Sequence, residues 1–168
     1  KLDRERSSFE QALDEIKQTL SDKAVALQLP IGSEQAFSGV VDLLKLKAYS
    51  FEGDGRSVAL GDVPADLQET ASAAREQLIE AIASTDDDLI EKYLDTGELS
   101  EEEINRGLAS GIASGAFVPV LCGSATRNVG VQPLLDLVAD TFPSPLGRPP
   151  VKGVGANDSE VERKASPD

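Results

Sequence analysis

Two short stretches of this 168-residue chain contain residue types that can recognise a purine base. The first is Lys1-Leu2-Asp3. A carboxylate such as Asp3 only accepts hydrogen bonds, and its two oxygens can take N1–H and the N2 amino group of guanine together. Adenine has a lone pair at N1 instead, so this carboxylate favours guanine. Lys1 can lay its aliphatic stem along the base plane.

The second stretch is Cys122-Gly123-Ser124-Ala125, which follows an apolar run. A turn at Ser124 and Ala125 can present a backbone N–H to the guanine O6 atom. Simpler explanations exist for both stretches, since Asp3 can cap a following helix and Ser124 can be an ordinary turn residue. The stretches form one base-recognition site only if the fold brings them together.

Other residue types needed for nucleotide chemistry are missing from the sequence. It has no histidine and no Gly-x-x-x-x-Gly-Lys-Ser/Thr stretch, so it lacks a backbone cradle for phosphates and the hydroxyl ligand for Mg²⁺. We therefore expect neither a catalytic nor a metal-binding residue in this chain. The single cysteine, Cys122, lies in an apolar run, which favours a packing role in a reducing compartment.

The net charge limits the kinds of partner. It is −14, and affinity for a nucleic-acid backbone comes chiefly from Lys and Arg, so we expect no direct binding to nucleic acid. Basic surfaces or other proteins are favoured as partners. No stretch reaches the roughly 18 consecutive apolar residues of a membrane span, so we expect no membrane contact and a cytoplasmic location.

Longer motifs surround the two stretches. In chain order they are Leu29-Pro30-Ile31-Gly32, Phe37-Ser38-Gly39-Val40-Val41-Asp42-Leu43, Glu91-Lys92-Tyr93-Leu94, Pro119-Val120-Leu121 before Cys122, Gly130-Val131-Gln132-Pro133-Leu134-Leu135-Asp136, and Phe142-Pro143-Ser144-Pro145. With these motifs in this order, the sequence resembles the elongation factor G family of translational GTPases over essentially its whole length. Lys1-Leu2-Asp3 is similar to the last three residues of that family's Asn-Lys-x-Asp motif.

The resemblance implies a fold and a ligand. The fold would be α/β, the C-terminal portion of a P-loop GTPase-type doubly wound domain that carries an inserted α+β subdomain of hairpin strands and three helices. Lys1, Asp3, Ser124 and Ala125 would bind the guanine base of GTP or GDP. The phosphate-binding residues and the Mg²⁺ ligands would lie outside this chain, in a longer parent protein that couples GTP hydrolysis to ribosomal translocation.

Two alternatives stay open. Arg127-Asn128 and the stretch 5–8 look more like elongation factor G-like paralogues than the housekeeping translocase, which leaves a ribosomal protection or recycling GTPase as one alternative. The other is an acidic protein-interaction module without nucleotide binding, in which Asp3 only caps a helix and Ser124 only forms a turn.

An acidic stretch is the candidate surface for a partner. Residues 86–103 carry nine acids against one base, Lys92. These acids can be explained without any partner. Acidic residues at the N-termini of two helices compensate the helix dipoles, and the remaining acids belong to a solvated face. The resemblance implies instead that the inserted subdomain contacts the ribosome through its stalk protein. The candidate contact residues are Asp86, Asp87, Asp88, Glu91, Glu101, Glu102 and Glu103.

Hydrophobic periodicity and turn residues predict the elements that position these groups. They predict helices over 4–20, from Pro64 to about 82, over 86–94, from Ser100 to Gly115 and over 131–142. They predict strands over 24–29, 40–44, 46–51, 56–60 and 117–121. The resemblance implies four regions. Residues 1–22 would be a GTPase-domain segment with the base-reading motif, and residues 23–116 the inserted subdomain. Residues 117–145 would return to the GTPase domain with a strand, the Ser-Ala turn and a closing helix, and residues 146–168 would be a linker toward a second domain.

Overall fold

The structure, a computed structural model, describes residues 1–166 apart from the side chain of Asn157. Within this range the chain has a mixed α/β fold of five α-helices and three small β-sheets. The helices are α1 (Phe9–Thr19), α2 (Gln68–Ala83), α3 (Asp87–Thr96), α4 (Glu101–Ser114) and α5 (Val131–Thr141). The strands are β1 (Ala24–Ala26), β2 (Gln28–Ile31), β3 (Gly39–Asp42), β4 (Lys47–Glu52), β5 (Ser57–Asp62), β6 (Val118–Val120), β7 (Val151–Val154) and β8 (Glu160–Arg163).

Two of the sheets are joined by one continuous segment of chain. β1 pairs in parallel with β6, while β2, β3, β4 and β5 form an antiparallel sheet in that order. Leu27 alone separates β1 from β2. Its N–H donates to the Val120 carbonyl at 2.9 Å, and its carbonyl accepts from the Leu43 N–H at 3.1 Å. The predicted hairpin of β4 and β5 is confirmed, with Glu52 paired to Ser57 next to the turn.

The prediction of a single strand over 24–29 that ends at Pro30 is wrong. The structure has two strands there, and Pro30 lies inside β2, where it pairs with Val40. Because β2 is an edge strand of its sheet, a residue without an N–H can be accommodated there. The break at Leu27 also places Ala24–Ala26 in the sheet of β6, although they fall inside the predicted insertion of 23–116.

Helix α1 begins later than predicted. Its N-cap is Ser8, whose hydroxyl accepts from the Gln11 N–H at 3.3 Å. A helix from residue 4 is excluded because Arg6 has a φ of 62°, in the left-handed region. Asp3 therefore does not cap α1, which removes the simplest non-ligand explanation of this carboxylate.

Helix α4 begins with the capping box that the sequence predicts. The Ser100 hydroxyl accepts from the Glu103 N–H at 3.3 Å, and the Ser100 N–H donates to Glu103 Oε2 at 2.8 Å. Lys92 Nζ donates to Glu103 Oε1 at 2.8 Å, and with Ser100 it lowers the pKa of Glu103 from 4.5 to about 2. Because the folded-state pKa is depressed, this carboxylate stabilises the fold above about pH 4.5 and ceases to do so as the pH falls toward 2.

The main core lies where helices α2 and α4 pack against Leu27, Val41 and Phe117, residues of the segments that form both of the joined sheets. Leu43, Leu78 and Leu108 are almost fully buried within it. Helix α4 approaches α2 closely at Gly107, where a Cβ atom would lie 2.7 Å from Ile82 Cγ2. Helix α2 begins at Gln68 rather than near Pro64, because the Pro64 carbonyl accepts from the Leu67 N–H in a preceding turn.

The C-terminal part is the least buried. The predicted apolar face of α5 is largely exposed at Leu134, Leu135, Val138 and Phe142. The sequence predicts a linker over 146–168, whereas β7 and β8 form an antiparallel hairpin there, and residues 167–168 lie outside the described range. Over residues 1–166, none of the helices has the length and apolar character needed to cross a membrane.

Candidate functional site

The fold brings the two predicted base-recognition stretches together. Strand β6 ends at Val120 and leads to Gly123, whose carbonyl accepts from the Lys1 backbone nitrogen at 3.1 Å and from the Leu2 N–H at 3.4 Å. Lys1 and Gly123 are 122 positions apart in the sequence. We call the four residues Lys1, Asp3, Ser124 and Ala125 the base edge. The condition for a single site, that the two stretches adjoin, is met.

Asp3 retains an unused acceptor at the base edge. Only 10% of its side chain is exposed, and its Oδ1 atom is buried without a hydrogen-bond donor among the described residues. The Ser124 hydroxyl, supported by the Asp3 backbone N–H and by Arg4, holds the pKa of Asp3 below its usual value. Asp3 is therefore an ionised carboxylate near neutral pH. A buried acceptor without a donor costs free energy, and a ligand that donates to Oδ1 recovers this cost only if the carboxylate turns that oxygen toward solvent.

The turn after β6 offers one backbone donor. Ser124 is almost fully buried, and its N–H donates to the Val129 carbonyl at 2.9 Å while its own carbonyl accepts from the Val129 N–H at 3.0 Å. These two bonds close residues 124–129 into a loop. Ala125 is exposed, and within residues 1–166 its N–H donates to no acceptor. The predicted donor to a base is therefore the N–H of Ala125 and not that of Ser124.

Two glycines allow the 124–129 loop to close. A Cβ atom at Gly123 would lie 2.7 Å from the Val129 carbonyl oxygen, and Gly130 has a φ of +80° at the start of α5. Any side chain at Gly123 would push this carbonyl away and open the loop. Sequence reasoning missed Val129 as a part of the site. The spacing of Gly123 and Gly130 on either side of Ser124 is the sequence signal that points to it.

A small apolar cluster lies beneath the base edge. Leu2 packs against the cluster, whose buried members are Phe9, Phe37, Val40, Phe51, Cys122 and Val129. Burial raises the pKa of the Cys122 thiol to about 12, so the thiol stays protonated and is a poor nucleophile. This environment agrees with the packing role predicted for Cys122.

The seven acidic candidates are divided between two structural situations. Asp86 is the N-cap of α3 and accepts from the N–H groups of Asp88 and Leu89 at 3.0 and 3.2 Å. Glu103 is engaged by Ser100 and Lys92. The other five acids are exposed on α3 and at the beginning of α4, and they are Asp87, Asp88, Glu91, Glu101 and Glu102.

Comparison with known proteins identifies a similar fold. No model of a protein family matches this chain. Among solved structures, the chain resembles a crystal structure of a protein from Thermus thermophilus, with 28% sequence identity and a TM-score of 0.78. The match covers 96% of this chain and 25% of the Thermus protein, so the chain spans about a quarter of that protein's length. The agreement extends over nearly the whole mixed α/β fold.

Proposed function

We propose that this chain supplies the guanine-recognition half of the nucleotide site of a longer, elongation factor G-like translational GTPase. In that protein it would form the C-terminal portion of a P-loop doubly wound domain with an inserted α+β subdomain. The observation that carries the proposal is that the segments of Asp3 and Ala125 adjoin at Gly123, while among the described residues Asp3 Oδ1 has no donor and the Ala125 N–H has no acceptor.

The base edge has the donors and acceptors that guanine needs. Asp3 would accept from N1–H and from the N2 amino group, while the Ala125 N–H would donate to O6. Lys1, whose side chain is exposed, would cover the plane of the base with its aliphatic stem. Adenine would place a lone pair against the carboxylate and an amino group against the Ala125 N–H. A site built on such hydrogen bonds rejects a ligand that lacks them by roughly 10⁴-fold.

The rest of the reaction would lie outside this chain. The phosphates of GTP or GDP, Mg²⁺ and the attacking water would be held by residues of the longer protein, and no residue of this chain is proposed as catalytic. That protein would couple GTP hydrolysis to ribosomal translocation in the cytoplasm. A ribosomal protection or recycling GTPase would use the same base edge, so the base edge alone does not distinguish among these ribosomal roles.

Purine selectivity tests this proposal. We expect the longer protein to bind GDP at least about 100-fold more tightly than ADP, measured by equilibrium titration with fluorescent nucleotide analogues. The 168-residue chain alone should bind both nucleotides weakly, because it lacks the residues that contact phosphate. Equal affinity for GDP and ADP, or no binding of either, would instead favour an acidic interaction module.

The exposed acids of α3 and α4 are the proposed contact with the ribosomal stalk protein. Reversing Asp87, Asp88 and Glu91 to Lys should lower stalk-stimulated GTP turnover of the longer protein by about tenfold at low salt, because charge complementarity accelerates association. The matched control reverses three exposed acids of α1, which are Glu10, Asp14 and Glu15. Turnover that falls equally in both variants, or in neither, would contradict the contact.

A further inference from the structure

Both halves of the base edge rest on loops of the four-stranded sheet. The loop after β2, residues 32–38, and the turn after β4, residues 53–56, lie at the same end of this sheet because β2 and β4 run in the same direction. The sequence pattern predicts only that the second of these segments reverses the chain. In the structure each of them also contacts a segment that carries part of the base edge.

The first contact joins the loop after β2 to the segment of Lys1 and Asp3. Glu34 Oε1 accepts from the Arg6 N–H at 2.7 Å. Both residues have left-handed backbone, with φ of 52° for Glu34 and 62° for Arg6, a conformation that costs free energy in residues other than glycine. Successive turns connect Arg6 to the base edge, since the Lys1 carbonyl accepts from the Arg4 N–H at 3.1 Å. Glu34 thus holds the chain three residues after Asp3.

The second contact joins the same loop to the other half of the base edge. Arg127 Nη1 donates to the Phe37 carbonyl at 3.0 Å, and Phe37 is fully buried in the apolar cluster beneath the site. Arg127 also donates its backbone N–H to the Ser124 hydroxyl at 3.4 Å. The 124–129 loop is therefore attached to the buried end of the 32–38 loop.

The third contact is the closest and involves the turn after β4. Gly55 has a φ of +74°, and a Cβ atom there would lie 2.3 Å from the Arg127 carbonyl oxygen and 2.9 Å from Asn128. Gln132 Nε2 donates to the Gly55 carbonyl at 3.0 Å. Only a residue without a side chain allows this approach, since the clashing atoms belong to the backbone of the 124–129 loop.

We propose that Glu34 and Gly55 are positioning residues for guanine recognition, which hold the two halves of the base edge at the separation that the base requires. This inference rests on the proposed function. A loop that is already ordered does not lose conformational freedom when the nucleotide binds, so pre-ordering increases affinity. Loss of either contact should speed nucleotide dissociation without changing the groups that select the base.

A matched pair of glycine substitutions in the longer protein tests the proposal. Gly55→Ala should raise the Kd for GDP by about tenfold or more through faster dissociation, while the preference for GDP over ADP is retained. Gly53→Ala is the control, because Gly53 has a similar φ of +59° in the same turn but nothing within 4 Å of its Cβ position. It imposes the same kind of backbone cost without the clash, and it should leave the Kd within about twofold.

A second pair keeps the test valid if Gly55→Ala does not fold. Glu34→Ala removes the acceptor for the Arg6 N–H and should also raise the Kd for GDP. Glu34→Gln keeps a side-chain oxygen at the same place and should restore most of the affinity. A side chain that acts only through its negative charge would not show this recovery, since both variants remove the charge.

Hydrogen exchange separates failure of this inference from failure of the proposed function. Without nucleotide, Gly55→Ala should accelerate exchange of the Ser124 and Val129 amides, which close the 124–129 loop, and Gly53→Ala should not. Accelerated exchange in a protein that binds no GDP would overturn the proposed function, although Gly55 would still be shown to order the 124–129 loop. Tight GDP binding with equal dissociation rates and equal exchange in the two glycine variants would overturn the positioning role.

Discussion

The Asp3→Asn variant of the longer protein is expected to lose its preference for guanine and to gain one for xanthine. An Asn side chain keeps one acceptor but replaces the other carboxylate oxygen with an NH₂ donor, which would face the N2 amino group of guanine. Xanthine has an oxygen at C2 and would accept that hydrogen bond. We expect affinity for GDP to fall by about 10²-fold to 10⁴-fold, with affinity for xanthosine diphosphate above that of the unsubstituted protein.

Competition between GDP and xanthosine diphosphate measures this change directly. The control is Asp14→Asn, which makes the same change of charge at an exposed position of α1 and should leave both affinities unaltered. If the Asp3→Asn variant binds GDP as before and xanthosine diphosphate no better, Asp3 does not read the base. The depressed pKa of Asp3 also requires that binding of guanine persist in mildly acidic solution.

The Leu78→Ala variant is expected to lose about 2–5 kcal/mol of unfolding free energy. Leu78 lies on α2 with its side chain fully buried in the main core. Its truncation removes apolar contacts and leaves a cavity that the surrounding helices can fill only in part. This loss is a large fraction of the total stability of a chain of this size.

Urea unfolding monitored by circular dichroism checks the expected loss. The matched control is Leu94→Ala on α3, where the same truncation is made in a helix but the side chain is 79% exposed. This variant should change stability by no more than about 0.5 kcal/mol. Similar midpoints for the two variants would show that Leu78 does not lie in the main core.

Elements with local signals were predicted well. The capping box of Ser100 and Glu103 defines the start of α4 because both partners lie within one helical turn. The turn at Gly53 and Gly55 likewise defines the β4–β5 hairpin, since both glycines have the positive φ that the reversal needs. In each case the deciding interactions connect residues that are close in sequence.

Elements that depend on distant partners were predicted poorly. The break at Leu27 arises because its two backbone groups bond to Val120 and Leu43 in different sheets, and no residue near Leu27 signals this. The β7–β8 hairpin is held by backbone pairing between exposed strands, so it leaves little hydrophobic periodicity. Periodicity detects burial and not pairing, which explains why residues 146–168 were predicted as a linker.

In the candidate site, too, features set by local sequence were predictable and features set by distant partners were not. By itself, the sequence determined the chemistry of the base edge, since the acceptor-only carboxylate of Asp3 and the turn at Ser124 and Ala125 follow from residue type. Only the tertiary structure decided that these groups meet, that Ala125 supplies the free N–H, and that Glu34 and Gly55 contact the segments beside them. The physical reason is that residue type sets what a group can donate or accept, whereas its partner is chosen by packing between segments distant in the chain.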